Sequence, residues 1–319
     1  MRALVLVQPG RVELQQRADP TPGPGEVLLK VEATTLCGTD LRIISGAKTA
    51  GVRPGVVMGH EIAGEVIAVG DAVQGVTVGK RYVVFPWHGC GECSVCKRGD
   101  ENLCLAGKSM GVFQPGGYAD HVLVSHARYL VDIGDIPPVQ AAPYACSGLT
   151  TYSALKKVPP QVLRDEKLVL IGAGGLGLMA IGLAKAMGST GVIVIEPDET
   201  KHAAAMQAGA LAVFNPRQDG YLAQVRQAAG GAVWAVIDCV GSSQTVQAGI
   251  DLLTKGGQLV QIGLFGGHID LPTPSMALRA ITYQGTYVGN LRELQELMQL
   301  VKDKGIKLQP GAGIGKAAL

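Results

Sequence analysis

Four cysteines within fifteen residues, Cys90-x2-Cys93-x2-Cys96-x7-Cys104, form the densest group of metal-ligating side chains in the chain. Zn²⁺ prefers four tetrahedral ligands, and thiolates two residues apart wrap one ion from successive tight turns. An iron–sulfur cluster or free thiols are the other readings of such a run. Four thiolates leave no open coordination position, so a zinc held there is structural and not catalytic. Three further residues stand in suggestive settings: Cys37 in Leu36-Cys37-Gly38-Thr39-Asp40, His60 in Met58-Gly59-His60-Glu61, and Cys146 in Tyr144-Ala145-Cys146-Ser147-Gly148. One imidazole and two thiolates, with a water or substrate oxygen, compose a catalytic zinc site. Spacing alone does not join residues so far apart, and each taken singly is more often a core cysteine or a satisfied core histidine.

A second kind of chemistry lies further on. The apolar run Leu168 to Ile171 leads into Gly172-Ala173-Gly174-Gly175-Leu176-Gly177 and then into an apolar helical stretch. In this pattern Gly172 allows a tight turn, Gly174 lets backbone approach a pyrophosphate, and Gly177 lets helix pack on strand. The helix N-terminus then offers N–H groups and a positive dipole end to phosphates. Glu196 ends the next strand, 24 residues after Gly172. A carboxylate there accepts both ribose hydroxyls and repels a 2′-phosphate, which favours NAD over NADP. A solvated acidic loop, Glu196-Pro197-Asp198-Glu199, is the competing reading. Lys201 either reaches the same ribose or is a helix-surface lysine.

The elements that must position these groups change character along the chain. The first third alternates apolar and polar residues in short runs such as RALVLV, GEVLLKVEAT and EIAGEVIAVG, which predicts an all-β unit. From about Thr150, continuous Val/Ile/Leu runs alternate with helical stretches. Six such strands predict an α/β unit with a doubly wound parallel sheet covered on both faces. At 47% apolar and 17% charged, the chain can bury two substantial cores. A net charge of +2 without Lys/Arg blocks argues against a nucleic-acid partner. The N-terminus lacks the apolar stretch of a signal peptide and no run approaches a membrane span, so a soluble, cytoplasmic protein is expected. The cysteine count is seven, an odd number that favours metal ligands over a disulfide framework.

Taken together, Cys37-Gly38-Thr39-Asp40, Gly59-His60-Glu61, the four-cysteine run, Gly117-Tyr118-Ala119, the Cys146 segment and the glycine loop resemble the zinc-containing medium-chain dehydrogenases/reductases, the alcohol dehydrogenase family. The resemblance covers roughly residues 1 to 305. It implies a GroES-like catalytic domain over 1–145 with a structural zinc lobe at about 88–105. It further implies a Rossmann NAD-binding domain over 146–288 and a return segment over 289–319, with the active site in the cleft between domains. The implied reaction is reversible hydride transfer between an alcohol and NAD, giving an aldehyde or ketone. By the same resemblance Cys37, His60 and Cys146 hold a catalytic zinc, and Cys90, Cys93, Cys96 and Cys104 hold a structural one. Glu61 is a transient ligand, Asp40 bonds the His60 ring, and Thr39 passes the alcohol proton outward. Trp87 walls the substrate pocket or is a packed core tryptophan. Val240 and Gly263 flank the cofactor. Cys239, inside the run AVIDCV, reads as a buried structural thiol.

Three departures from the family pattern stand out. Arg42 occupies the position where many members carry a relay histidine, and arginine does not act as a base. Gly38 replaces a basic residue that touches the pyrophosphate. The ending VKDKGIKLQPGAGIGKAAL looks shortened, with Lys316 at the place of a pyrophosphate-binding arginine. Two alternatives therefore accompany the main reading. One is a polyol, hydroxy-acid or cyclic-alcohol dehydrogenase on the same scaffold. The other is a catalytically weak NAD- and zinc-binding protein disabled by the short C-terminus. The expected assembly is a homotetramer, with a dimer as the other option and the run ITYQGTYV as an edge for pairing. A small-molecule substrate is expected, with no nucleic acid and no membrane as partners.

Overall fold

The computed structural model describes residues 1–47, 52 and 54–307. They divide into two compact units, Met1–Leu149 with Gly289–Lys307, and Thr150–Val288. Lys316 lies outside the described residues. No helix among the described residues is long and apolar enough to cross a membrane.

The first unit is built on antiparallel strands. Val27–Thr35 pairs on one side with Glu61–Val69 and on the other with His121–Val124. Arg81–Val84 and Leu130–Asp132 complete a five-stranded sheet. Alternation along these strands turns Leu29, Ile62, Val66 and Val83 fully inward. The register sets Thr35 opposite Glu61. Cys37, two residues beyond Thr35, and His60, one before Glu61, therefore leave the sheet at the same end. Cys37 then caps the helix Gly38–Ile44: its sulfur accepts from Thr39 N–H while the Asp40 carboxylate accepts from Cys37 N–H. This reciprocal capping box fixes where Cys37 and Asp40 point.

The chain returns to this unit through the helix Leu291–Lys304, opened by a capping box between Asn290 and Glu293. Leu294, Leu297, Met298 and Val301 recur at helical spacing and are essentially fully buried. Burying four such side chains contributes roughly 6–12 kcal/mol before ordering costs. Asn290 also donates to Asp100 (3.2 Å), and Lys302 reaches Asp132 (3.4 Å), so the helix is tied to both the four-cysteine segment and the sheet.

The second unit is the doubly wound sheet expected from its strand runs. Six parallel strands lie in the order Ala212–Phe214, Val192–Ile195, Leu168–Ile171, Ala235–Asp238, Gln258–Gln261, Thr282–Gly285. The three central runs Val192–Ile195, Leu168–Ile171 and Ala235–Asp238 are buried at every position, as sheets covered on both faces require. Thr282–Gly285, at one edge, is exposed throughout. Strand order reverses between Leu168–Ile171 and Ala235–Asp238, and the glycine loop leaves the sheet at that switch point.

Candidate metal centres and dinucleotide loop

The fold brings together what spacing alone left apart. Donor atoms of Cys37, His60, Glu61 and Cys146 lie within 4.8 Å of one another. His60 and Glu61 are buried, as is Cys146. His60 Nδ1 stands 3.2 Å from Asp40 Oδ1, which orients the ring and leaves Nε2 as the remaining donor atom. That Nε2 is buried and has no hydrogen-bond partner among the described residues. An orphaned buried polar atom costs about 1–3 kcal/mol, a cost that a coordinated cation removes. Two thiols, an imidazole and a carboxyl are donors that zinc takes, so the residues present fit a zinc ion.

Electrostatics point the same way. The hydrogen bond from Cys146 holds Cys37 well below the usual thiol range, and the same contact with burial raises Cys146 well above it. Two sulfurs this close form a donor pair that a divalent cation takes with release of protons. Burial opposes charge on His60, but the Asp40 carboxylate and the Cys37 sulfur raise its pKa nonetheless. Burial, then the Cys37 charge, pushes Glu61 up to about 8.

Trp87 is 7% exposed, and its indole N–H donates to Ala145 O at 3.3 Å. Its ring packs tilted against His60, with centroids 5.4 Å apart. It therefore braces the segment before Cys146 and one face of the His60 ring. Thr39 is half-buried beside Cys37, while Arg42 lies on the exposed side of the same helix.

The four-cysteine segment has the geometry of a tetrahedral centre. Cys90 and Cys96 sulfurs are 3.9 Å apart, as are those of Cys93 and Cys104. Zinc–sulfur bonds of about 2.3 Å in a tetrahedron require sulfurs about 3.8 Å apart. Backbone N–H groups of Cys90, Cys93 and Cys96 donate to sulfurs of the set at 3.4–3.5 Å. Beneath it, Glu101 accepts from Tyr129 O–H (2.8 Å) and Arg128 (3.3 Å). His88 stacks on Tyr129 at 3.8 Å and donates through Nε2 to Phe85 O.

Burial lowers the His88 pKa from 6.5 to about 4. The unfolded chain therefore takes up a proton below pH 6.5 that the folded chain refuses until about pH 4. This group's stabilisation is complete above pH 6.5 and falls by up to about 3 kcal/mol as pH drops through that window. Urea midpoints at pH 7 and pH 5 are expected to drop less in His88→Gln than in the wild type. Equal drops in both proteins would place the acid sensitivity elsewhere.

In the second unit, Gly172 adopts φ +97° at the turn after its strand. A Cβ on Gly177 would stand 2.1 Å from Gly172 O, so only glycine lets this helix, Gly175–Ala186, approach the strand so closely. A Cβ on Gly174 meets open space, and this N-cap residue supplies no side-chain cap to the helix. The first-turn N–H groups of Gly175, Leu176 and Gly177 are thus available to an anion. Val240 and Gly263 touch each other and Val240 abuts Gly172, which groups them at the same sheet end. Glu196 is buried, and its two oxygens accept from Ala173 N–H (2.7 Å) and Asp198 N–H (2.9 Å). It braces the glycine loop, a role that its distance along the chain does not announce. Lys201 pairs with Asp198 at 3.3 Å and with Glu196 at 3.8 Å. Cys239 is half-buried, and burial raises its pKa.

Sequence reasoning missed the Trp87–Ala145 bond, the His88–Tyr129 stack and the contacts of Tyr118. Only the run Gly117-Tyr118-Ala119 hinted at the last of these.

Fold and donor sets together define a zinc-containing medium-chain dehydrogenase. A family model described as "Alcohol dehydrogenase GroES-like domain" matches residues 23–135, and one described as "Zinc-binding dehydrogenase" matches 175–303. A protein named NAD-dependent alcohol dehydrogenase from Sulfurisphaera tokodaii is 36% identical over 317 residues, covering 96% of this chain and 91% of the relative. An L-threonine 3-dehydrogenase from Pyrococcus furiosus is 34% identical, covering 86% and 78%. The solved D-arabinose dehydrogenase of Sulfolobus solfataricus superimposes with a TM-score of 0.88 at 27% identity, covering 96% and 94%. The chain belongs to the zinc-containing alcohol dehydrogenase family.

Proposed function

We propose that the protein transfers hydride reversibly between an alcohol and NAD, giving an aldehyde or ketone, with one catalytic and one structural zinc per chain. The observation that carries this reading is the buried His60 Nε2, without a hydrogen-bond partner among the described residues, beside the donor atoms of Cys37, Cys146 and Glu61. Zinc bound there supplies Lewis acidity to a substrate oxygen, and the nicotinamide supplies the hydride acceptor.

The protein's own groups do the rest. Asp40 accepts from His60 Nδ1, so the ring presents Nε2 to the metal. Glu61 is buried beside the two sulfurs. It stands as an additional donor that can exchange with substrate. Thr39 Oγ1 takes the alcohol proton and passes it outward. Trp87 shields one face of the His60 ring from water. The N–H groups after Gly174 hold the pyrophosphate, Glu196 and Lys201 hold the adenosine ribose, and Val240 and Gly263 flank the dinucleotide. Glu196 also disfavours a 2′-phosphate.

Gly38 provides a direct check on the cofactor part of this reading. Its missing Cβ meets open space, so a longer side chain is accommodated. Gly38→Arg is expected to lower the dissociation constant for NAD several-fold by restoring a charge contact to the pyrophosphate. Fluorescence titration with NADH measures it, and an unchanged or raised constant counts against the placement.

A second reading, oxidation of a polyol or hydroxy acid, is favoured by relatives named for threonine and arabinose. Homotetrameric assembly is part of the proposal. The exposed edge strand Thr282–Gly285, with a neighbour on one side only among the described residues, supports pairing between subunits. Light scattering gives the mass.

The deciding experiment is NADH formation from primary, secondary, cyclic and polyhydroxy alcohols by protein whose zinc has been counted. Turnover with about two zinc ions per chain is expected, and the ranking of substrates separates the two readings. Tight NAD binding and full zinc without turnover on any substrate would replace both with a catalytically weak binding protein.

A further inference from the structure

Asp40 is fully buried, and its carboxylate is a junction. Oδ1 meets His60 Nδ1 at 3.2 Å. Oδ2 accepts from Cys37 N–H at 2.9 Å and from Tyr118 O–H at 2.9 Å. One carboxylate thus touches two of the candidate metal ligands, one by its ring and one by its backbone. The Tyr118 hydroxyl has a single proton and two acceptors in reach, Asp40 Oδ2 and Thr35 O at 3.1 Å. The shorter, charge-assisted bond to Asp40 wins that proton.

The rest of Tyr118 is fixed with unusual firmness. It is 2% exposed. Its N–H donates to Met58 O at 2.8 Å, and its carbonyl accepts from Leu4 N–H at 2.7 Å. Its ring lies against Gly59, where an added Cβ would stand 2.6 Å from a ring carbon. Gly59 itself has φ +89° and immediately precedes His60. Tyr118 therefore grips His60 from two directions, through the backbone beside it and through the carboxylate beyond its ring. A hydroxyl buried at this depth needs an acceptor, and this one is aimed at the group that orients the ligands.

We propose that Tyr118 is a positioning residue for the metal centre: its hydroxyl locks the Asp40 carboxylate in the rotamer that aligns the His60 ring and the Cys37 backbone. This inference rests on the zinc reading of Cys37, His60 and Cys146. Tyr118 touches neither substrate nor cofactor in it. Without the hydroxyl, Asp40 loses one of three donors and gains freedom to turn. The His60 ring then follows it, and the metal is held less firmly.

Tyr118→Phe keeps the ring against Gly59 and removes one oxygen, so the packing of the segment is retained. The readouts are zinc release to a chromophoric chelator and the visible absorption of cobalt-substituted protein. The four-cysteine lobe serves as an internal control in both. Loss of a group that orients a metal ligand typically costs ten- to a hundredfold in affinity. Tyr118 acts one step further out, so release of the catalytic-site ion is expected to quicken three- to tenfold, with shifted cobalt bands and an unchanged lobe. In an Asp40→Asn background, Tyr118→Phe is expected to add nothing, because its effect passes through that carboxylate. Release within threefold of wild type with unmoved bands overturns the proposal, and so does an equal acceleration in the Asp40→Asn background. A wild type that takes cobalt at the lobe alone would overturn the zinc reading together with it.

Discussion

His60→Ala is expected to lower kcat/KM for alcohol oxidation at least about a thousandfold and to leave one zinc per chain. The substitution removes the buried donor whose Nε2 has no hydrogen-bond partner among the described residues. It also frees Asp40, which then holds an uncompensated charge at full burial. Two thiols and a carboxyl remain, a poorer donor set for zinc than the four groups together. Lewis-acid assistance is worth several kcal/mol of barrier, and each 1.36 kcal/mol is tenfold in rate. The four-cysteine lobe shares no ligand with this set, so its zinc remains. Metal analysis beside steady-state kinetics distinguishes the outcomes. Full zinc with lost activity would make His60 an acid–base group and not a ligand. Full activity would remove the metal from the reaction.

Cys96→Ser is expected to lower the thermal midpoint by about 10 °C while the catalytic set keeps its ion. Cys96 is the most buried of the four lobe thiols, and burial raises its pKa while backbone N–H groups lower those of Cys90 and Cys93. Three thiolates without the fourth are a poorer site for zinc. The ion's binding energy is folding energy for a segment with little apolar core of its own. Leu103 and Leu105 in that segment are exposed, so hydrophobic burial does not substitute for the metal. A loss of about 3–5 kcal/mol at roughly 2–4 °C per kcal/mol gives the stated shift. The measurement is a calorimetric scan with zinc counted before and after. An unchanged midpoint would mean that the Glu101–Tyr129–Arg128 contacts hold the segment without its ion.

Much of this architecture is legible before any coordinates. Buried parallel strands such as Val192–Ile195 have no polar face to show, so their continuous apolar runs reveal them. The four-cysteine segment is equally plain because all its ligands are local. The set of Cys37, His60 and Cys146 is different. Only the register that puts Thr35 opposite Glu61 brings the first two to one sheet end, and register is a property of two strands, not of one. Resemblance to a family supplied the grouping that residue spacing did not. Glu196 illustrates what neither source contains. Its place at a strand end is visible in sequence, but its bond to Ala173 N–H depends on how the loop turns. Tyr118 illustrates the same point, since its partner Asp40 lies 78 residues earlier.

The first unit is discontinuous, and that has a consequence for how the molecule is made. Its helix Leu291–Lys304 is synthesised only after all of Thr150–Val288 has been polymerised. At about 5–20 residues per second this imposes a wait of roughly seven to thirty seconds. Throughout that interval the nascent N-terminal portion displays the apolar seat later filled by Leu294, Leu297, Met298 and Val301. The described part of the second unit, contiguous in the chain, is free to fold first. A newborn chain is therefore sticky at one defined place for a defined time, and that seat is where a holding chaperone would earliest find purchase.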